Sequence, residues 1–337
     1  MTSGTLPLVA AARSRATSGA WGELRTLLGE RPEEAAHVPE LVTLLAEAHL
    51  RTGRPREAQA WLEARLDALR ASGDAAALRR GTNLLGAACF ELGALDAARG
   101  AFERSLELAR RDGDDLLAAR ATHNLAVIAS MRGRREEALT LFELAIPVYQ
   151  LLGNTRGLAE GHHNLAIACR ELGRLEEADE HERRAIEFAR EAGVPRLVAI
   201  ARVGRAEISL RRGDPWLAGV AARRAATDLA ELGEPAMEAD ARRLAGVAAA
   251  SLGDIATARR ELDRAVELAV THGHALIEAE SRRARALLNA SGGQVARAMD
   301  DAAVAAALFG RLGLAADRNE IAAWLRELGG AEPADPR

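Results

Sequence analysis

A glycine stands at every twentieth position of the second part of this chain onward: Gly53, Gly73, Gly93, Gly113, Gly133, Gly153, Gly173, Gly193, Gly213, Gly233, Gly253, Gly273, Gly293 and Gly313. With 30 glycines in 337 residues, composition alone does not produce an unbroken series of fourteen. Glycine enters the left-handed conformation at a helix end without the steric cost of a Cβ, so the series predicts helices of about 16 to 18 residues separated by tight turns. Such helices are marginal alone in water and must bury a face on their neighbours. A chain built this way grows by addition, and the expectation is one elongated domain.

The 48% hydrophobic fraction is mostly Ala and Leu and aromatics are 3%, which favours closely packed helices over sheet. The fold class is all-α. All 45 basic residues are arginine, the better donor for paired contacts to carboxylates and phosphates, and the net charge is only -4. That balance and the scarcity of aromatics for base stacking make nucleic acid an unlikely partner. No apolar run spans a membrane, and Met1 to Ala20 lacks the order of a signal peptide, so no membrane partner and a cytoplasmic location are expected. Cys89 and Cys169 recur two repeats apart, too far for a bridge, and read as small core residues in a reducing compartment.

Residues 5–17 and 20–29 form an expected helical pair around Gly19, within an atypical first repeat at 5–31, followed by a longer connection from Gly29 to Glu40 containing Pro32 and Pro39. Regular 40-residue repeats then run over about 38–313. Pro55, Pro195, Pro215 and Pro235 each stand two residues past a glycine of the series, where a first helical turn tolerates the missing N–H. Pro147 falls inside a helix, where it breaks one backbone bond and is expected to kink it.

The glycines are of two kinds. Seven residues before every other one, from Gly53 to Gly293, stand Ala46, Gly86, Ala126, Ala166, Ala206, Gly246 and Ala286; five residues after the same glycines stand Ala58, Ala98, Ala138, Ala178, Ala218, Ala258 and Ala298. Small residues at fixed places on both sides of a turn let two helices approach closely, so these turns lie within helical hairpins and the others lie between them. Larger residues such as Leu85, Leu125, Leu165, Phe102, Phe142 and Leu262 share the same faces.

Asn124, Leu125 and Ala126, through Gly133, Glu137 and Ala138 to Phe142 and Ala145, resemble the tetratricopeptide repeat, as do Asn164, Leu165 and Ala166 through Gly173 to Ala178 and Ala185. The period is lengthened from the family's 34 residues to 40. The resemblance implies a right-handed α-solenoid of about eight helical hairpins, a single superhelix over 1–328. A capping helix at 314–328 carries Trp324, and 329–337 is expected to be a disordered tail. Departures come late: Arg205 and Arg285 replace the leucine of the first helix, and Glu182, Ala222 and Ala302 replace the large residue of the second, which predicts a thinner core there.

No P-loop, dinucleotide fingerprint, HExxH or nucleophile elbow is present, and a non-enzymatic protein without cofactors is expected. His123 and His163 occupy equivalent places in adjacent repeats, with His162 beside the second, but equivalent residues lie roughly 10 Å apart, too far to share a metal. By resemblance, the first helix of each hairpin lines a concave groove and asparagines where Asn124 and Asn164 stand clamp a peptide backbone. Asn83 is displaced by one residue. An amide side chain can donate to a peptide carbonyl and accept from its N–H at once.

Arg80, Arg120 and Arg170, beside these asparagines and His123 and His163, supply groups for a carboxylate or phosphate. The same asparagines can instead bond within the scaffold or face water. A second stripe, Arg202, Arg242 and Arg282 with Arg243 and Arg283, reads as surface pairing, since Glu238 and Glu278 precede Arg242 and Arg282 by one turn. The expected function is a scaffold binding a protein or peptide segment in the groove over 78–212. The alternative, by analogy with bacterial peptide-sensing regulators, is a receptor in which a peptide or phosphorylated ligand changes solenoid curvature and an output partner's activity. The oligomeric state is not legible.

Overall fold

The computed structural model describes residues 5–330. The chain divides between Gly157 and Leu158 into two compact units. The first contains α1 (Thr5–Ser18), α2 (Trp21–Gly29), α3 (Pro32–Ala36), α4 (Pro39–Arg51), α5 (Pro55–Glu63), α6 (Leu66–Ala71), α7 (Ala75–Glu91), α8 (Leu95–Arg111), α9 (Asp115–Met131) and α10 (Arg135–Leu151). The second is built from α11 (Thr155–Glu171), α12 (Leu175–Glu191), α13 (Pro195–Arg211), α14 (Pro215–Glu231), α15 (Pro235–Ser251), α16 (Ile255–Thr271), α17 (Ala275–Ser291), α18 (Val295–Arg311) and α19 (Ala315–Gly330). The fold class is an all-α solenoid of stacked helical hairpins ending in a capping helix. Residues 331–337 of the expected tail lie outside the described residues, and α19 runs to Gly330.

The glycine series sets the geometry of the turns. Every one of its members has a positive φ, from 63° at Gly153 to 78° at Gly253. The residue after each glycine donates its N–H to the carbonyl five residues earlier, as Ala94 does to Cys89 at 2.9 Å and Asp254 to Ala249 at 3.0 Å. This satisfies a carbonyl that the helix end would otherwise strand. Gly73 alone in the series departs, where the Ser72 hydroxyl caps the Leu69 carbonyl at 2.7 Å and accepts from the Asp74 N–H at 3.2 Å. At several turns that same following residue opens the next helix: the carboxylates of Asp114, Asp214 and Asp254 accept from Leu117, Leu217 and Thr257. Helices α7 to α18 are therefore 17 residues each, as the spacing predicts.

Pro32, Pro39, Pro55, Pro195, Pro215 and Pro235 all sit in the first turn of a helix, so the connection after Gly29 itself contains the short α3. Helix α10 continues through Pro147. One expected helix is divided: between Gly53 and Gly73 the chain leaves helical geometry at Arg65 (φ -124°, ψ -2°), whose guanidinium lies 3.3 Å from the Trp61 ring centroid.

The alanines that flank alternate turns are fully buried, including Ala46, Ala126, Ala166, Ala98, Ala178 and Ala258. At two of these places glycine replaces alanine and the facing side chain takes the room: a Cβ on Gly86 would stand 2.6 Å from the Phe102 ring, and one on Gly246 2.6 Å from Leu262. In the second unit the core around α13, α14 and α15 is mainly alanine, with Ala199, Ala222, Ala225 and Ala241 packed around Val203, Leu229 and Leu244. The cap is apolar on its inner side, where Ile321, Trp324 and Leu325 cover Ala302, Leu308 and Phe309.

Candidate functional site

On α9, Arg120 and Asn124 stand one turn apart and so share a face, continued by half-buried Val127 and exposed Met131. Arg120 is exposed and Asn124 half-buried, and among the described residues neither makes a hydrogen bond or ion pair. Asn164 occupies the equivalent place on α11 in the second unit and is also half-buried.

The other two arginines of the expected set are held by the scaffold. Arg80 reaches Glu47 at 2.5 Å, and Arg170 reaches Glu207 at 2.5 Å, with Arg211 on the same carboxylate side chain at 3.1 Å. Each pair joins first helices of successive hairpins, α4 with α7 and α11 with α13. The carboxylates lie 33 and 37 residues from their arginines, outside the reach of any single-helix spacing rule. Their signal in sequence is faint: Glu47 and Glu207 occupy a register place that Ala87, Val127, Ile167, Val247 and Leu287 fill elsewhere.

One residue earlier than the asparagine position, side chains turn into the seam of the hairpin. The His123 ring is buried edge-on to Phe142, with centroids 5.3 Å apart, and tilted against Tyr149 at 6.2 Å. Asn83, in the same register, has its Oδ1 buried without a hydrogen-bond partner. His163 Nδ1 lies 3.0 Å from the Glu182 carboxylate, which is itself fully buried. Burial pushes the Glu182 carboxyl up from its ordinary range against the opposing pull of His163. His162 stacks between His181 and Phe188, with centroids 5.3 and 5.6 Å away, and burial lowers its pKa to about 4.

The second arginine stripe is likewise tied down. Arg242 binds Glu238 at 2.7 Å and Glu261 at 2.9 Å; Arg282 binds Glu278 at 2.8 Å and Asp301 at 3.2 Å. Arg202 pairs with Asp228, Arg243 with Asp240 at 2.6 Å and Glu280 at 3.3 Å, and Arg283 with Asp317 at 3.0 Å. Within-helix pairing at one turn was legible from spacing. The cross-hairpin partners were not, although they share a signal: 19 residues separate Arg242 from Glu261, Arg282 from Asp301, His163 from Glu182 and His162 from His181. That interval is one helix plus one turn, which places the two residues opposite each other across a hairpin.

Among the described residues no group of three or more His, Cys, Asp or Glu side chains is arranged to hold a metal, and no helix is long and apolar enough to cross a membrane. Cys89 and Cys169 are buried and unbridged.

Stacked antiparallel hairpins of this length, with small residues at both faces of each seam, define a helical-repeat solenoid. The chain carries tetratricopeptide repeats: models of that repeat match residues 73–150, 117–191 and 39–64. No curated protein matches the sequence. Among solved structures, a Rap protein complexed with Competence and Sporulation Factor is 13% identical with a TM-score of 0.64, over 96% of this chain and 97% of that one. The apo quorum sensor NprR from B. thuringiensis is 15% identical, TM-score 0.60, over 96% and 98%. A Signal Transduction ATPase with Numerous Domains from Pyrococcus horikoshii, which has a tetratricopeptide repeat sensor, is 14% identical, TM-score 0.68, over 94% of this chain and 52% of its own. At these identities the likeness is one of fold.

Proposed function

We propose that this protein is an interaction scaffold that binds an extended peptide segment on the first-helix face carrying Arg120 and Asn124. The observation that carries the reading is the contrast along that register: Arg80 and Arg170 are neutralised by Glu47 and Glu207, whereas Arg120 and Asn124 have no partner within the described chain. An amide able to engage both sides of a peptide unit, one turn from a free guanidinium, suits a peptide that carries a carboxylate or phosphate near the clamped bond. Val127 and Met131 extend the face with apolar surface for a neighbouring side chain. Asn164 holds the equivalent register place in the second unit.

The test is selection of a displayed random peptide library on the folded protein, followed by titration of the synthetic winner. Removing a hydrogen bond to a charged or backbone group weakens binding about tenfold or more, so Arg120→Ala with Asn124→Ala is expected to raise Kd by at least that factor. Unchanged affinity in a double variant that keeps its helical circular dichroism would overturn the reading.

The second reading, a ligand-responsive regulator, is favoured by the Rap complex with its signalling factor and by the quorum sensor, both matched over nearly their whole length. In that case the selected peptide alters the solenoid's dimensions in small-angle scattering as well as binding. Identical scattering with and without saturating peptide would leave only the passive scaffold.

A further inference from the structure

On the opposite, second-helix side of the second unit, two adjoining hollows open between α12 and α14, with α13 also contributing to their walls. One, of about 310 Å³, is lined by five arginines, Arg183, Arg190, Arg202, Arg205 and Arg224. The other, of about 400 Å³, has walls of Ala189, Val194, Pro195, Val198 and Leu232. The two share Arg190 and Arg202, so an arginine-rich hollow adjoins a mainly apolar one.

Part of the wall traces to a departure in the repeat: where α11 carries Leu165, α13 carries Arg205, which lines the first hollow and pairs with Asp179 at 2.8 Å. The charges are also incompletely matched. Asp179 serves Arg205 and Arg183, and Asp228 serves Arg202 and Arg224, which leaves two carboxylates among four guanidiniums. The Arg190 side chain makes no hydrogen bond or ion pair among the described residues and lies close enough to oppose the charge on Arg202. Glu187 and Glu231, both exposed, are the remaining acids on the walls.

A comparison within the same unit shows what a closed design looks like. Between α16 and α18 another hollow, of about 420 Å³, is lined by Arg285, which stands in the register of Arg205. There Arg285 is held by Asp263 at 2.9 Å and Asp301 at 2.7 Å, and Arg282 by Glu278 and Asp301. Arg282 and Arg285 are answered by carboxylates and Arg259 and Arg297 by the amides of Asn289 and Gln294, and the hollow has no apolar annex of the α12–α14 kind.

The geometry points to the α12–α14 hollows as a binding site for an amphiphilic anion, a single oxyanion head held by Arg190 and its neighbours with an apolar body lying along Val194, Val198 and Leu232. The head supplies the countercharge that Arg190 lacks, and the body removes apolar wall from water; hollows of this size suit small-molecule ligands. The site is built from residues of the second unit, whereas Arg120 and Asn124 belong to the first, and it does not depend on the peptide reading.

Calorimetric titration of the full chain with decanoate and with decyl phosphate tests it, the two arms distinguishing a carboxylate from a phosphate head. At least one is expected to bind at one molecule per chain, with decanol and inorganic phosphate each at least tenfold weaker. Arg190→Ala, an exposed and unpaired side chain whose loss leaves the fold intact, is expected to weaken the anion about tenfold or more, while Arg104→Ala, at an exposed position of α8, leaves it unchanged. Glu231→Gln is expected to tighten it two- to threefold. No saturable binding, equal binding of decanol, equal binding of inorganic phosphate, or full affinity in Arg190→Ala would each overturn the assignment.

Discussion

The buried Glu182 carboxylate fills the space that a Cβ on Gly204 would need. The two residues lie on α12 and α13, on either side of the turn at Gly193. Gly204 stands in the register of Asn124 and Asn164, so its lack of a side chain accommodates the acid that replaced the large apolar residue of the second helix. Gly204→Ala is therefore expected to destabilise the chain by about 1–3 kcal/mol through overpacking, although alanine is the better helix former. Combining it with Glu182→Ala removes the clash, so the double variant should be more stable than the sum of the single effects by at least ~1 kcal/mol. Urea unfolding of the four proteins of the cycle measures this; strict additivity would show that the two side chains do not compete for one volume.

His162 gives the second unit an acid-sensitive point. Burial first, then the neighbouring His181 and Arg184, lower its pKa to about 4 from 6.5, with Glu180 pulling the other way. As pH falls below 6.5 the unfolded chain takes up a proton that the folded chain refuses, so stability drops until the folded ring protonates near 4. Glu182 acts in the opposite sense, because burial raises its pKa and the folded chain binds that proton more readily as pH falls. His162→Phe preserves the stack on Phe188 and isolates the first effect. Between pH 7 and 5 the wild-type chain should lose on the order of 1–2 kcal/mol more than the variant, allowing for partial solvent screening. The same pH slope in both proteins would remove His162 from the account.

The glycine series makes a prediction with opposite signs at two sites. Gly173 has a φ of 77°, and a Cβ there costs about 1–2 kcal/mol although it would touch nothing within 4 Å. Gly100 lies inside α8, exposed, and a Cβ there also meets nothing within 4 Å. Gly173→Ala should lower the melting temperature, and Gly100→Ala should raise it by the equivalent of roughly 0.5–1 kcal/mol. Equal shifts would mean that backbone conformation does not separate the two.

What was readable from sequence follows from where each property resides. Turn positions and helix lengths were legible because positive φ is a property of glycine itself, and the close seams because Ala98 or Ala178 must be small whatever surrounds it. Partners were harder. Arg80 and Glu47 meet only after two hairpins have stacked, and His123 is buried rather than facing a groove because it stands one residue, about a third of a helical turn, from Asn124. The arginines replacing leucine predict a thinner apolar core, but where they turn is decided by carboxylates on other helices, such as Asp179 for Arg205 and Asp263 and Asp301 for Arg285.

That last exchange is itself testable in the repeat nearest the cap. Arg285 holds Asp301 with two of its nitrogens, at 2.7 and 2.8 Å, and Asp301 is almost fully buried beside fully buried Ala302. Arg285→Leu alone leaves that carboxylate short of its main partner, with Arg282 and Asn289 remaining, and is expected to cost about 2–3 kcal/mol. Restoring the whole apolar seam is different. Ala286 stands in the register where Ala126 faces Phe142, so the backbone approach that accommodates a phenylalanine is already present. Arg285→Leu, Asp301→Ala and Ala302→Phe together exchange a buried ion pair for apolar packing of similar volume, which is neutral or stabilising in other proteins. The triple variant is therefore expected to match or exceed wild-type stability in urea. If it is less stable than Arg285→Leu alone, the paired departures do not substitute for a leucine and an aromatic ring, and the seam is held by some other feature.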